Sequence, residues 1–327
     1  MKSDYVTSAV KRLVKNGMRR VSCWKNIIRD PLPKLLVLVY HRVLPLGNDD
    51  GLGIIMSEKI FTRQLDYLAI KYPIITFGEA MRQSRLGQPN SRVQILLTFD
   101  DGYRDNYEVV FPILKKKGLP AAFYIPTDYI GADKPLWEVE IITGICRSPS
   151  IDKVAIGGAV IQKRWFETRF SFALRLFESM KCLKRETLKG ALDTVRDRIE
   201  SAKTHDYTSD LCMKWEEVSE MGRKGMEIGA HGVTHRSLAR IAPADAAQEI
   251  MESKRTVEGK ANVRCESFAF PFGSSKDYNP ALIDRVKEAG FTTCMLNIHG
   301  YNRPDPALFA FKRIIMDEFT NLNCLIG

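Results

Sequence analysis

The chain has 327 residues, 45% of them hydrophobic, and a formal net charge of +10. A chain of this length and ordinary globular composition can bury a large core by itself, which excludes a disordered protein or a small scaffold held together by disulfide bonds. The seven cysteines are odd in number, widely spaced and without a C-x-x-C pair. Neither a disulfide framework nor a structural zinc ribbon is therefore expected, and a reducing compartment fits best.

Residues 1–33 form a basic segment. The first 30 residues carry eight basic and two acidic side chains, and apolar residues recur between the charges at helical spacing. This pattern predicts a basic amphipathic helix, which either docks on the main domain or lies on an anionic membrane surface. No basic stripe with stacking aromatic residues occurs elsewhere in the sequence, so nucleic acid is not expected as a partner.

The sequence also bears on location. No stretch approaches the ~18 uninterrupted apolar residues of a membrane-spanning helix. The first residues lack the apolar region of a secretory signal. We therefore expect a cytoplasmic protein, and peripheral contact with the inner face of the membrane is one alternative for residues 1–33.

Apolar runs without polar alternation recur along the rest of the chain, at residues 35–40, 95–99, 121–125, 227–230, 267–270 and 292–296. Such runs are typical of strands that are buried on both faces of a parallel sheet. Helical stretches are predicted between them, at residues 106–117, 243–259 and 280–290. The alternation of strand and helix favours an α/β barrel or a doubly wound sheet.

Residues 131–215 interrupt this alternation. The pattern predicts a hairpin at 151–165 around Gly157 and Gly158, followed by two helices near 166–181 and 185–202. We interpret the region as an insertion on a barrel that spans residues 34–327, and not as an independent domain. A lid and a partner surface are both compatible with this interpretation.

Two adjacent carboxylates, Asp100 and Asp101, follow the apolar run at 95–99 within the motif TFDDGY. Buried ionised carboxylates require partners, and a cation or a shared proton would satisfy them. Adjacent side chains at a strand end diverge, so that one could bind a metal while the other handles a proton. Taken alone, Asp-Asp-Gly is equally typical of a turn or a helix N-cap.

His231 and His235 follow the run at 227–230 in the motif HGVTH. Two histidines at i and i+4 can face one metal ion if the segment turns helically. With Asp101 they would make a set of two histidines and one carboxylate, which leaves coordination positions open, as a hydrolytic metal requires. Two further motifs follow apolar runs: FAFPFG at 268–273 and His41 in YHRV.

TFDDGY, HGVTH and FAFPFG, in this order, resemble the motifs of the polysaccharide deacetylase family, carbohydrate esterase family 4. The similarity covers roughly residues 35–315. The resemblance implies a distorted (β/α)7-type barrel with an inserted helical and hairpin segment. It also implies a metal triad of Asp101, His231 and His235, usually loaded with zinc.

The resemblance also implies catalytic roles. Asp100 matches the catalytic base, the backbone amide of Phe272 matches an oxyanion donor, and His41 matches the proposed general acid. Tyr103, in the first motif, is expected to contact the substrate. The chain departs from the family at Ala269 and Phe270, where many members carry an arginine that orients the base, and Arg313 is a candidate replacement. The late motifs of the family are not recognisable, which leaves the acid open.

The resulting hypothesis is a hydrolase that removes the N-acetyl group from an amino sugar of a glycan. A cytoplasmic enzyme would meet a lipid-linked or nucleotide-linked glycan precursor more easily than a finished wall polymer. Three alternatives stay open from the sequence. They are an amidase or deformylase acting on a small molecule, a catalytically silent carbohydrate-binding barrel, and a basic scaffold on membranes or nucleic acid.

Overall fold

The computed structural model describes residues 33–45, 54–86, 93–148, 150–201, 211–303, 305, 309–318 and 320. The basic segment predicted at residues 1–33 lies outside the described residues, apart from its last residue. Its predicted helix and membrane contact therefore stay predictions.

The described chain contains the strands β1 (Lys34–Tyr40), β2 (Arg42–Leu44), β3 (Ile55–Ser57), β4 (Val93–Phe99), β5 (Ala122–Ile125), β6 (Lys153–Ile156), β7 (Ala159–Gln162), β8 (Glu227–Ala230), β9 (Ser267–Ala269), β10 (Thr293–His299) and β11 (Ala310–Ile315). Its α-helices are Glu58–Lys71, Phe77–Arg85, Phe111–Lys117, Trp137–Arg147, Arg169–Met180, Arg185–Ser201, Trp215–Arg223, Pro243–Ala261 and Pro280–Glu288. A π-helical turn at Asn106–Val110 precedes the third helix.

Seven strands close into a barrel in the order β1-β11-β10-β9-β8-β5-β4. The strand pairs of this barrel are all parallel, and β1 closes it by pairing with both β4 and β11. The predicted (β/α)7-type barrel is thus confirmed, and the doubly wound alternative is excluded. The barrel contains the six predicted apolar runs together with a seventh strand, β11, which the sequence pattern did not indicate as a strand.

Burial explains why these segments form strands. All seven residues of β1 are buried, as are the last six of β4, because the helices cover the outside of the barrel while side chains fill its inside. The helix Glu58–Lys71 shows the complementary pattern, since its buried residues Phe61, Leu65 and Leu68 recur every three or four positions. The carboxyl ends of all seven strands consequently lie at one rim of the barrel.

The insertion contains more structure than was predicted. The hairpin is confirmed as the antiparallel pair β6 and β7, which turns at Gly157 and Gly158, and two helices follow it at Arg169–Met180 and Arg185–Ser201. A further helix, Trp137–Arg147, precedes the hairpin and is buried along nearly its whole length. Buried side chains of the insertion and of the barrel belong to one hydrophobic cluster.

Two further findings concern membranes and cysteines. No helix within the described ranges is long and apolar enough to cross a membrane. The cysteines within those ranges are free thiols, at positions 146, 182, 212, 265 and 294.

Candidate active site

The residues singled out in the sequence meet at the carboxyl rim of the barrel, where barrel enzymes place their functional groups. His41 follows β1, Asp100 follows β4 and His231 follows β8. Asp101, His235 and Phe272 have positive φ angles of 73°, 53° and 62°. Non-glycine residues rarely adopt this left-handed conformation, and such strain concentrates at functional sites. The rim loops therefore keep strained backbone conformations, and these conformations place the three residues at the site.

Asp101, His231 and His235 form one buried cluster whose potential ligand atoms lie within 4.8 Å of one another. The Asp101 Oδ1 atom lies 3.5 Å from His231 Nε2 and 3.2 Å from His235 Nε2. Both imidazoles thus turn Nε2 toward the same carboxylate oxygen. Two imidazole nitrogens and one carboxylate oxygen, converging from three points, fit a divalent cation such as zinc.

The histidine pair does not lie on a helix, so the helical turn that the sequence analysis named as a condition for a shared metal ion is not what brings the two imidazoles together. Residues 231–235 form an irregular turn with positive φ angles at Gly232 (73°) and His235 (53°). The buried carboxylate of Glu249 holds this turn, because its Oε2 accepts hydrogen bonds from the N–H groups of Val233 and Thr234 at 2.7 and 2.9 Å. The spacing i, i+4 brings the imidazoles together through this loop geometry.

The far nitrogen of each imidazole also faces an oxygen atom. His231 Nδ1 lies 2.7 Å from the carbonyl oxygen of Ala269 in β9. His235 Nδ1 lies 2.5 Å from Oε1 of Glu138, which belongs to the helix Trp137–Arg147 of the insertion. An acceptor at Nδ1 places the proton there and leaves Nε2 with a lone pair for a metal ion. The arrangement on both histidines therefore fits the metal triad.

Sequence reasoning missed Glu138. A signal was present, because Glu138 and Glu140 interrupt the otherwise apolar stretch WEVEII, and a buried carboxylate requires a partner. Both side chains are buried in the structure, at 8% and 2% exposure. Glu140 forms an ion pair with Arg196 at 2.9 Å, while Glu138 faces His235. The partner of Glu138 lies 97 positions away in the sequence, which no local pattern reveals.

The charges at the triad reinforce each other. Burial opposes ionisation of Asp101, but the neighbouring imidazoles of His231 and His235 outweigh it and hold the pKa of this carboxyl well below its ordinary value. Burial also opposes the imidazolium form of His235, yet Glu138 and Asp101 raise its pKa to about 10. His235 therefore binds a proton strongly. A metal ion would have to displace this proton to reach the nitrogen lone pair.

Asp100 is held by Arg313 of β11. The guanidinium donates two hydrogen bonds, from Nη1 to Oδ1 at 2.7 Å and from Nη2 to Oδ2 at 2.6 Å. The two side chains are 1% and 0% exposed. Burial alone would raise the pKa of Asp100, but the charge and the hydrogen bonds of Arg313 lower it below its ordinary value. Asp100 is consequently an ionised carboxylate in a fixed orientation beside the triad.

The other candidate residues are placed as follows. His41 is partly exposed and lies on the rim next to Asp100, because the N–H of Asp100 donates to the carbonyl of Tyr40 at 3.0 Å. The ring of Phe272 packs 4.9 Å from the His235 ring, centroid to centroid. Tyr103 is 1% exposed and packs under the Arg42 guanidinium, 4.5 Å from its ring centroid. The structure therefore places Tyr103 in the core behind the site, and a substrate contact for it stays a prediction.

Comparison with known proteins agrees with this geometry. The model of the polysaccharide deacetylase family matches residues 87–149 and 176–294, which is more than half of the chain. YxkH of Bacillus subtilis (strain 168), whose name places it among the polysaccharide deacetylases, is 29% identical over 153 residues. That match covers 45% of this chain and 52% of YxkH, so the chain spans about half the length of this curated relative.

Solved structures share the fold. The Streptococcus pyogenes deacetylase PplD, in complex with acetate, has a TM-score of 0.60 at 17% identity, over 91% of this chain and 98% of that chain. IcaB from Ammonifex degensii has a TM-score of 0.57 at 18% identity, over 90% and 95%. At such identities the likeness shows the fold alone. The residues that the family model matches include the three motifs TFDDGY, HGVTH and FAFPFG. We conclude that the chain belongs to the polysaccharide deacetylase family.

Proposed function

We propose that this protein is a metal-dependent hydrolase that removes the N-acetyl group from an amino sugar of a glycan. One observation carries the proposal. A buried triad suited to a cation, Asp101, His231 and His235, lies beside Asp100, a carboxylate that Arg313 keeps ionised. A hydrolase needs both parts, because one must activate a carbonyl while the other accepts a proton. Family membership supports the choice of an acetylated glycan as substrate.

The charge of the site favours a divalent cation. Asp100, Asp101 and Glu138 bring three carboxylates to a buried region, and Arg313 brings one guanidinium. A doubly charged ion would balance this set, whereas unbalanced buried charges are costly. Two histidines and one carboxylate are a ligand set typical of zinc, which is the metal that we propose. When bound, such an ion supplies Lewis-acid chemistry, polarising a carbonyl and making water more acidic.

The side chains of the chain would then divide the remaining tasks. Asp100 accepts a proton from the attacking water, and Arg313 fixes the direction of its carboxylate. The backbone N–H of Phe272 donates a hydrogen bond to the oxygen on which negative charge develops, a contribution worth several kcal/mol in comparable sites. His41 protonates the departing amine, which is otherwise a very poor leaving group. A general acid or base typically contributes ~10²–10⁴-fold to the rate.

The glycan is a narrower proposal. We propose a lipid-linked or nucleotide-linked precursor that the protein meets in the cytoplasm, with residues 1–33 as a peripheral contact to the membrane. Support comes only from the basic amphipathic pattern of those residues, which an anionic surface would attract. A chain truncated before Pro31 should bind anionic vesicles more weakly than the full chain. Equal partitioning of the two would refute the membrane role.

Acetate release tests the proposed activity. The purified protein is incubated with a panel of N-acetylated glycans, with and without a chelator, and acetate and formate are quantified. We expect acetate from at least one glycan, its loss with the chelator and its return with added zinc. Formate as the product would favour a deformylase. A protein that binds zinc and glycan but releases neither acid would be a silent carbohydrate-binding barrel.

A further inference from the structure

The helix Trp137–Arg147, within the insertion, contacts His235 of the triad at two points. Glu138 Oε1 lies 2.5 Å from His235 Nδ1, and the indole Nε1–H of Trp137 donates to the backbone carbonyl of His235 at 2.9 Å. One contact fixes the plane of the imidazole, and the other fixes the backbone from which it projects. Trp137 is 1% exposed, so this contact is shielded from water.

Glu138 has a chemical environment that is hard to explain by folding alone. Its carboxylate is buried, and its second oxygen, Oε2, has no hydrogen bond within the described part of the chain. Glu140, two residues later, compensates its burial with an ion pair to Arg196. A buried carboxylate with one engaged oxygen destabilises a fold unless something else requires its charge. His235 is the group that the charge reaches.

The two histidines of the triad are supported differently. His231 Nδ1 faces the carbonyl of Ala269, whereas His235 Nδ1 faces the carboxyl group of Glu138. A carboxylate behind a ligating imidazole raises its basicity and fixes its tautomer more strongly than a carbonyl does. The insertion therefore affects the electronic character of one ligand, in addition to its position.

The insertion also forms the wall beside the proposed oxyanion donor. The ring of Phe272 packs against His235 at 4.9 Å and against Phe177 of the helix Arg169–Met180 at 5.5 Å, measured between ring centroids. The Lys181 ammonium lies 4.2 Å from the Phe272 ring centroid. One helix of the insertion thus contacts His235, and the next contacts the loop of Phe272 that would stabilise the oxyanion.

We infer that Glu138 is a positioning residue of the metal centre, and that through it the insertion sets the affinity of the triad for its cation. This inference rests on the proposed function, because it assigns Glu138 a task only if the triad binds a metal. The carboxylate holds His235 with its proton on Nδ1 and its lone pair on Nε2, directed toward Asp101. It also adds the negative charge that a divalent cation balances.

The test compares zinc affinity in matched variants. Glu138→Gln keeps the shape of the side chain and removes its charge, while Glu140→Gln makes the same change two residues later, away from the triad. Dissociation constants for zinc are measured by competition with a chromophoric chelator, and unfolding of the metal-free proteins is followed in urea. We expect Glu138→Gln to bind zinc about 10–100-fold more weakly, as is typical for loss of a ligand's supporting partner, and Glu140→Gln to keep wild-type affinity.

Catalysis gives a second readout that a purely structural role would not produce. Excess zinc should restore acetate release by Glu138→Gln, because the variant lacks affinity and not a reacting group. Wild-type affinity in Glu138→Gln, or an equal loss in Glu140→Gln, would overturn the inference and leave the proposed function intact. Absence of zinc binding by the wild-type protein would instead contradict the proposed function itself.

A measurement on the wild-type protein covers the case in which Glu138→Gln does not fold. Long-range ¹H–¹⁵N spectra of the zinc-loaded protein report which imidazole nitrogen carries the proton. We expect the His235 proton on Nδ1, with the downfield shift of a hydrogen bond to a carboxylate. Metal coordination through Nδ1 of His235 would overturn the inference.

Discussion

Replacing Arg313 by methionine tests how the proposed base is held. Methionine fills much of the same volume without a charge, and leaves Asp100 buried without its partner. Two unit charges about 4 Å apart interact with about 4 kcal/mol at an effective dielectric constant of about 20. Loss of one partner of a buried pair typically costs about 3–5 kcal/mol. We therefore expect Arg313→Met to lower the free energy of unfolding by about 3–5 kcal/mol at pH 7.

The pH dependence of this loss has a definite sign. The pKa of Asp100 is lowered in the folded chain, so the ion pair stabilises the fold above the unfolded pKa of about 3.9 and loses its effect as the pH falls through the folded value. In Arg313→Met the burial of Asp100 is no longer opposed by the guanidinium charge, so the pKa of this carboxyl rises. The stability difference between variant and wild type should therefore shrink as the pH falls through the raised pKa of Asp100 in the variant toward its lowered pKa in the wild type.

Urea unfolding at several pH values and a pH profile of kcat/KM measure both effects. The acidic limb of the profile should move to higher pH in Arg313→Met, because the base is ionised only at higher pH. Arg196→Met removes the partly buried pair with Glu140, outside the site, and should leave that limb in place. An unmoved acidic limb in Arg313→Met, with unchanged stability, would refute the role of Arg313.

Three further predictions concern the site and the opposite end of the barrel. Asp100→Asn should abolish acetate release while zinc binding persists, whereas His235→Ala should lose both; normal turnover in Asp100→Asn would exclude Asp100 as the base. His41→Ala should reduce kcat by about 10²–10⁴-fold with zinc retained, and a near-normal rate would assign the general acid elsewhere. Burial raises the pKa of Glu227 to about 7, so the fold loses stability as the pH rises from about 4 to 7. Glu227→Gln should reduce that loss by about 1–3 kcal/mol in urea unfolding, and an unchanged pH dependence would show that Glu227 is not its source.

Strands buried on both faces were predictable, and strands with buried charges were not. Six apolar runs became barrel strands because parallel strands leave no polar alternation to obscure them. The strand β11 reads AFKRII, and its Lys312 and Arg313 hide the apolar pattern. Arg313 is fully buried because Asp100, 213 positions away, compensates its charge. Only the closed barrel brings these two residues together.

At the site, too, the sequence pattern did not reveal buried charges with partners far away in the sequence. The motifs predicted which side chains would meet, because the carboxyl ends of parallel strands share one rim. They did not predict the helix Trp137–Arg147, since Glu138 and Glu140 interrupt its apolar stretch and have partners distant in the sequence. Nor did the i, i+4 spacing of the histidines indicate a loop with positive φ angles instead of a helical turn. Long-range charge compensation and backbone strain are absent from local patterns.

Anomalous diffraction at the zinc edge, from crystals of the zinc-loaded protein, tests the central claim most directly. The account predicts one strong peak among Asp101 Oδ1, His231 Nε2 and His235 Nε2, at bonding distances of about 2.0–2.2 Å from each. A peak elsewhere, or zinc-free crystals of a protein that still releases acetate in the presence of chelator, would contradict it.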